Sequence, residues 1–130
     1  MVYNNTMQEP SLFTKIIRGE IPSHKVDEDD RTIVFMDIHP IQSGQVLVVP
    51  KVQVENFFDL ETDDYVAFMD IVKKTGARLH AVYPEKRRIG VQIEGLDVSH
   101  VHAKIFPIDN GQKFHAAPDM NQEPDHVQLA

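Results

Sequence analysis

His100-Val101-His102-Ala103-Lys104-Ile105-Phe106 alternates strictly in polarity from His100 to Lys104. On a β-strand, successive side chains point to opposite faces, so His100, His102 and Lys104 share one face while Val101, Ala103 and Ile105 turn toward a core. At about 3.3 Å per residue the polar groups stand roughly 6.5 Å apart. Two imidazoles and an ammonium in such a row suit a phosphate. The same row also reads as an exposed polar face that binds nothing, and the rest of the chain has to decide between the two.

Outward from this strand, the patterns predict a small sheet and two helices. Arg88–Ile93 alternates like a strand, and Val101–Ile108 is the last one. His24–Glu28 and Thr32–Met36 read as strands around an acidic turn at Asp29-Asp30, and Gly44–Val49 as an apolar strand stopped by Pro50. Ser11 is a cap for a short helix with the apolar stripe Leu12, Phe13, Ile16 and Ile17, ended by Gly19 and barred from continuing by Pro22. A longer helix has Thr62 as its candidate cap and Asp63 and Asp64 in the first turn, where the helix dipole favours negative charge. Its predicted buried stripe is Tyr65, Phe68, Met69, Val72, Gly76, Leu79 and Val82, and Pro84 halts it. Five strands with one long and one short helix make an α+β domain on a mainly antiparallel sheet. That domain is expected over residues 11–110, with polar, aperiodic tails at 1–10 and 111–130.

Composition narrows the function. The chain has 130 residues, 42% of them apolar and 25% charged, which suits one globular domain with a real core. No stretch approaches the roughly 20 apolar residues of a membrane span. The first ten residues lack the basic start and apolar run of a signal peptide, and cysteine is absent, so a cytoplasmic home is expected. A formal charge of −7 argues against a nucleic-acid partner. A small anion could still bind in a locally positive pocket.

The strand His100–Phe106 resembles the signature of the histidine triad family, His-φ-His-φ-His-φ-φ, with Lys104 where the third histidine belongs. Three further blocks resemble the same family in order and spacing: Leu12-Phe13-x-Lys15-Ile16-Ile17-x-Gly19-Glu20-Ile21-Pro22, Phe35-x-Asp37-Ile38-x-Pro40 and Leu47-Val48-Val49-Pro50-Lys51. The resemblance runs from Ser11 to Ile108. It implies a histidine triad fold and a catalytic group of His102, His100 and Lys104, with His102 attacking the α-phosphorus of a nucleotide. A partly neutral imidazole suits that task, because it forms a labile phosphoramidate that water then displaces. The implied substrates are adenosine or guanosine monophosphate derivatives: phosphoramidates, adenylates or dinucleoside polyphosphates. The resemblance places Leu12, Phe13, Phe35 and Ile38 around the base and Asp37 at the ribose, where a carboxylate can accept from a vicinal diol. It also implies a homodimer and no cofactor.

Departures from the family pattern bear on the site. Many bacterial relatives carry a structural zinc whose cysteine positions here read Ser11 and Thr14, and whose first histidine reads Gln53; these are poor zinc ligands, so no metal is expected. The segment before His100, Glu94-Gly95-Leu96-Asp97-Val98-Ser99, is several residues shorter than in relatives and predicts a more open site. Two other functions compete. One is a nucleotide-binding module left weak or inactive by Lys104 and the short loop. The other is a metal site on His-x-His, which would need His24, His39, His80 or His115 as a third ligand.

Overall fold

The structure, a computed structural model, describes residues 8–37 and 44–109. Helix α1 (Leu12–Ile17) is followed by strands β1 (Lys25–Glu28), β2 (Thr32–Met36) and β3 (Val46–Pro50), then helix α2 (Thr62–Val82) and the hairpin of β4 (Arg88–Glu94) and β5 (His102–Ile108). A 3-10 turn at Phe57–Asp59 precedes α2. The five strands form one sheet in the order β1-β2-β3-β5-β4, antiparallel at every pairing. This is the α+β architecture expected from the sequence. Among the described residues, no helix is long and apolar enough to cross a membrane.

The alternation in β5 divides the core in two. Val101, Ala103 and Ile105 are fully buried, and Ala103 and Ile105 join Val34, Val46 and Val48 beneath Phe68, Ile71, Val72 and Leu79 of α2. On the opposite face, Ile33, Phe35, Leu47 and Val49 pack with Phe13 of α1. Both layers rest on period-two strands, each buried side removing apolar surface from water.

α1 starts and stops as its sequence predicts. Ser11 Oγ accepts from the Thr14 amide at 3.0 Å, and Gly19, at φ +78°, closes the helix with its amide on Ile16 and that of Glu20 on Lys15. α2 differs in two respects. Glu61, not Thr62, holds the N-cap position, and its side chain makes no capping hydrogen bond. The inward stripe is Phe68, Ile71, Val72, Thr75 and Leu79, while Tyr65 and Val82 are exposed. The helix lies on the sheet along one row of i, i+3, i+4 contacts, which Tyr83 continues just past its end, and Tyr65 and Val82 fall on the outer flank of that row.

The loop joining β4 to β5 is held by close packing. A Cβ added at Gly95 would lie 1.9 Å from the Glu55 carbonyl oxygen, and the Val101 amide donates to the Val54 carbonyl at 2.7 Å. Gly95→Ala is therefore expected to lower stability by about 2 kcal/mol through forced backbone movement, measured by urea unfolding. An unchanged midpoint would show that the loop yields freely.

Candidate active site

β5 begins at His102, so the strand pleat does not place His100; hydrogen bonds do. The His100 ring is wholly buried and bound at both nitrogens. Nε2 lies 2.7 Å from the Pro50 carbonyl and Nδ1 lies 2.7 Å from Ser11 Oγ. A carbonyl can only accept, so Nε2 carries the proton and Nδ1 accepts from the serine hydroxyl. Burial lowers the pKa of His100 below its ordinary value, against the opposing pull of its main-chain hydrogen bonds.

His102 is ordered by its neighbour. Its Nδ1 lies 2.8 Å from the His100 main-chain carbonyl, which puts the ring proton on Nδ1 and the lone pair on Nε2. Burial also pushes the His102 pKa down, with Lys104 acting in the same direction and the His100 carbonyl, Glu94 and Asp37 opposing. At neutral pH the ring is uncharged, with a nucleophilic nitrogen of defined orientation. Glu94 Oε1 stands 3.6 Å from that nitrogen, because Glu94 is paired with His102 across the β4–β5 ladder and shares its face. The next pair is Gln92 and Lys104. Lys104 Nζ lies 3.8 Å from Asp97 Oδ2 in the short loop.

The row is not an exposed face. His102 is 2% exposed and Lys104 9%. Glu94 and Asp97, at the two ends of the shorter segment, stand beside His102 and Lys104, and Phe13 packs against the histidines. The ring of Phe13 meets His102, His100 and Phe35 edge-on, at 4.9, 5.8 and 5.6 Å between centroids. Phe13 and Phe35 are thus core residues, and Phe13 also walls both histidines. Leu12 is 42% exposed at the start of α1. Asp37 follows β2, buried, and accepts from Gln45 Nε2 at 2.5 Å. Ile38, His39 and His115 lie outside the described residues.

Sequence reasoning missed Glu94, Asp97 and Gln45. The β4–β5 register, which a short hairpin restricts, was the available signal for Glu94; nothing local marked Gln45. A cleft of about 520 Å³ lies elsewhere, by β1, lined by Asp27, Glu28, Asp29 and Asp30 with Lys25 and Lys51. Both lysines already pair with Glu28, at 2.9 and 2.8 Å, so the cleft repels an anion. The histidine pair is the better candidate.

An antiparallel sheet with two ordered imidazoles and a lysine beside one strand is the arrangement expected of the histidine triad family, and known proteins resemble the chain accordingly. The HIT domain profile matches residues 18–111. A HIT-like protein of Methanocaldococcus jannaschii is 38% identical over 99 residues, 74% of this chain and 77% of its own length. The adenosine 5'-monophosphoramidase of Schizosaccharomyces pombe is 32% identical over 103 residues, 76% of this chain and 74% of its own. Among solved structures, a HIT-like protein of Bartonella henselae superposes with a TM-score of 0.77 at 30% identity, covering 99% of this chain and 92% of that one. A zinc-bound histidine triad protein of Mycobacterium smegmatis superposes at 0.64 with 25% identity, covering 91% and 84%. The chain belongs to the histidine triad family.

Zinc does not fit here. Ser11, Thr14 and Gln53 do gather at His100, but as neutral hydroxyls and an amide whose hydrogen-bonding atoms are already engaged with one another.

Proposed function

We propose that this protein is a nucleotidyl hydrolase of the histidine triad type, acting on nucleoside monophosphate derivatives through a covalent nucleotidyl-histidine at His102. The observation that carries the reading is the hydrogen bond from His102 Nδ1 to the His100 carbonyl, which leaves the Nε2 lone pair available. In the first step Nε2 attacks the α-phosphorus, and the leaving group departs with the bonding electron pair and takes up a proton. In the second, water forms the new P–O bond and gives up a proton to solvent, replacing the solvent proton that the leaving group took, while the P–N bond breaks and its electron pair returns to Nε2. Lys104 supplies a fixed cation for the phosphate oxygens, and His100 holds the attacking ring. The scheme uses no metal and no cofactor.

Asp37 accepts from the ribose hydroxyls, and Leu12, Phe13, Phe35 and Ile38 form the wall for an adenine or guanine base. Glu94 swings aside on binding, since its carboxylate and the phosphate compete for the same nitrogen. Similarity to adenosine 5'-monophosphoramidases of two yeasts supports phosphoramidates as substrates. The protein acts in the cytoplasm as a homodimer. Edge strand β4 with the exposed Val91, and Tyr65 and Val66 on α2, support the pairing.

The test is to quench the protein during turnover of adenosine and guanosine phosphoramidates and dinucleoside polyphosphates, and to weigh the peptide that carries His102. A nucleotide adduct on His102 with release of the leaving group is the expected result. One observation favours a second reading: Lys104 lies beside Asp97, which partly neutralises it. Nucleotide binding without adduct or release from any substrate would establish a binding module instead.

A further inference from the structure

The hydrogen bonds behind His100 run in one direction, and each proton in them has one place to go. Gln53 Nε2 donates to the Glu9 carbonyl at 2.6 Å, which orients the amide. Its oxygen then faces inward and accepts from the Ser11 amide at 2.8 Å and from Thr14 Oγ1 at 2.6 Å. With the threonine proton committed to Gln53, the Ser11 hydroxyl turns to His100 Nδ1 at 2.7 Å rather than to Thr14 Oγ1 at 3.2 Å. His100 Nε2 donates to Pro50, and the His100 carbonyl receives the proton of His102 Nδ1. His100 sits outside the β5 ladder; the peptide that bears its carbonyl is held on the other side by the Val101 amide, which donates to Val54, and the contacts of the ring join that bond in setting where the carbonyl points.

We propose that Ser11, Thr14 and Gln53 are positioning residues for the nucleophile: they hold the His100 ring in place against the Pro50 carbonyl that sets its tautomer, and the His100 carbonyl in turn locks the tautomer of His102. This rests on His102 being the nucleophile. Three segments distant in sequence converge to do it: α1 with Ser11 and Thr14, the stretch after β3 with Gln53, and the residue His100 itself. A small displacement of an attacking atom is costly, since alignment of reacting atoms carries a large share of rate enhancement.

The experiment compares wild type with Ser11→Gly, Ser11→Thr and Gln53→Leu, using nitrogen-15 spectra of the imidazoles and steady-state kinetics on an adenosine phosphoramidate. Glycine is itself a tolerated N-cap residue, so Ser11→Gly removes the hydroxyl while sparing the helix. The expected wild-type spectra show His100 protonated at Nε2 and His102 at Nδ1. In Ser11→Gly and Gln53→Leu, both tautomers of His102 become populated and kcat falls about tenfold with KM within twofold. Ser11→Thr, which keeps a hydroxyl, restores both readouts. An unmixed His102 tautomer together with unchanged kcat in Ser11→Gly would overturn the proposal. Absence of turnover in wild type would instead remove the hydrolase reading, and the spectra would still decide the positioning role.

Discussion

Turnover of an adenosine phosphoramidate is expected to fall by about 10⁴-fold or more when His102 is replaced by alanine, with adenosine monophosphate still binding within a few-fold of wild type. The split follows from where each job is done. The lone pair at Nε2 is the only group in the scheme that makes a bond to phosphorus, and alanine has nothing to substitute for it. In the proposed scheme, base and ribose contacts fall instead to Phe35, Phe13 and Asp37, which the truncation leaves in place. Loss of the ring also removes the edge-on contact with Phe13, at 4.9 Å, so circular dichroism should accompany the kinetics to show an intact sheet. The measurement is single-turnover release with excess enzyme, alongside calorimetric titration of adenosine monophosphate. Residual release at a tenth of the wild-type rate would mean that another group attacks the phosphorus.

The second large effect concerns stability. His100→Ala is expected to cost about 3–5 kcal/mol in urea unfolding, through a cavity at a fully buried ring and the loss of partners for the Pro50 carbonyl and the Ser11 hydroxyl. It should also change the response to acid. Burial holds both His100 and His102 below their ordinary value of 6.5 in the folded chain. The unfolded chain therefore takes up more protons as pH drops through about 6.5, and stability drains away until the folded rings titrate too. Above that pH the contribution is complete. Each ring adds a slope of up to about 1.4 kcal/mol per pH unit within that window. Wild type should lose stability between pH 6.5 and 5 more steeply than His100→Ala, and equal slopes in the two proteins would contradict the assignment.

Much of the architecture is visible along the chain because it depends on near neighbours. Ser11 and Gly19 bound α1 through contacts within one turn, and the apolar half of β5 lies against α2 where its period of two puts it. The shift in α2 shows the limit of such patterns. Tyr65 and Val82 lie on the apolar row expected for the helix, yet both are exposed, whereas Ile71 and Thr75, outside that row, are buried; which flank of the helix meets the sheet is decided by other segments. The site is less legible still. His100, His102 and Lys104 stand out for their spacing, but spacing alone suggests an open row, whereas all three are buried, with Phe13 against the two rings. Glu94 meets His102 only because β4 and β5 pair in a particular register.

By itself, the sequence determined the α+β class, the boundaries of α1, the division of β5 into a core face and a polar face, and the candidate nucleophile. The first three follow from side-chain chemistry and short-range periodicity, and the last from the resemblance to the histidine triad family. Tertiary structure alone decided which nitrogen of His102 keeps its lone pair, that a carboxylate stands beside it, and that Ser11, Thr14 and Gln53 meet at one ring. Those facts depend on contacts between segments as far apart as the 89 residues from Ser11 to His100. Contacts at that range exist only once the sheet has closed and excluded water from the groups that then have to satisfy one another.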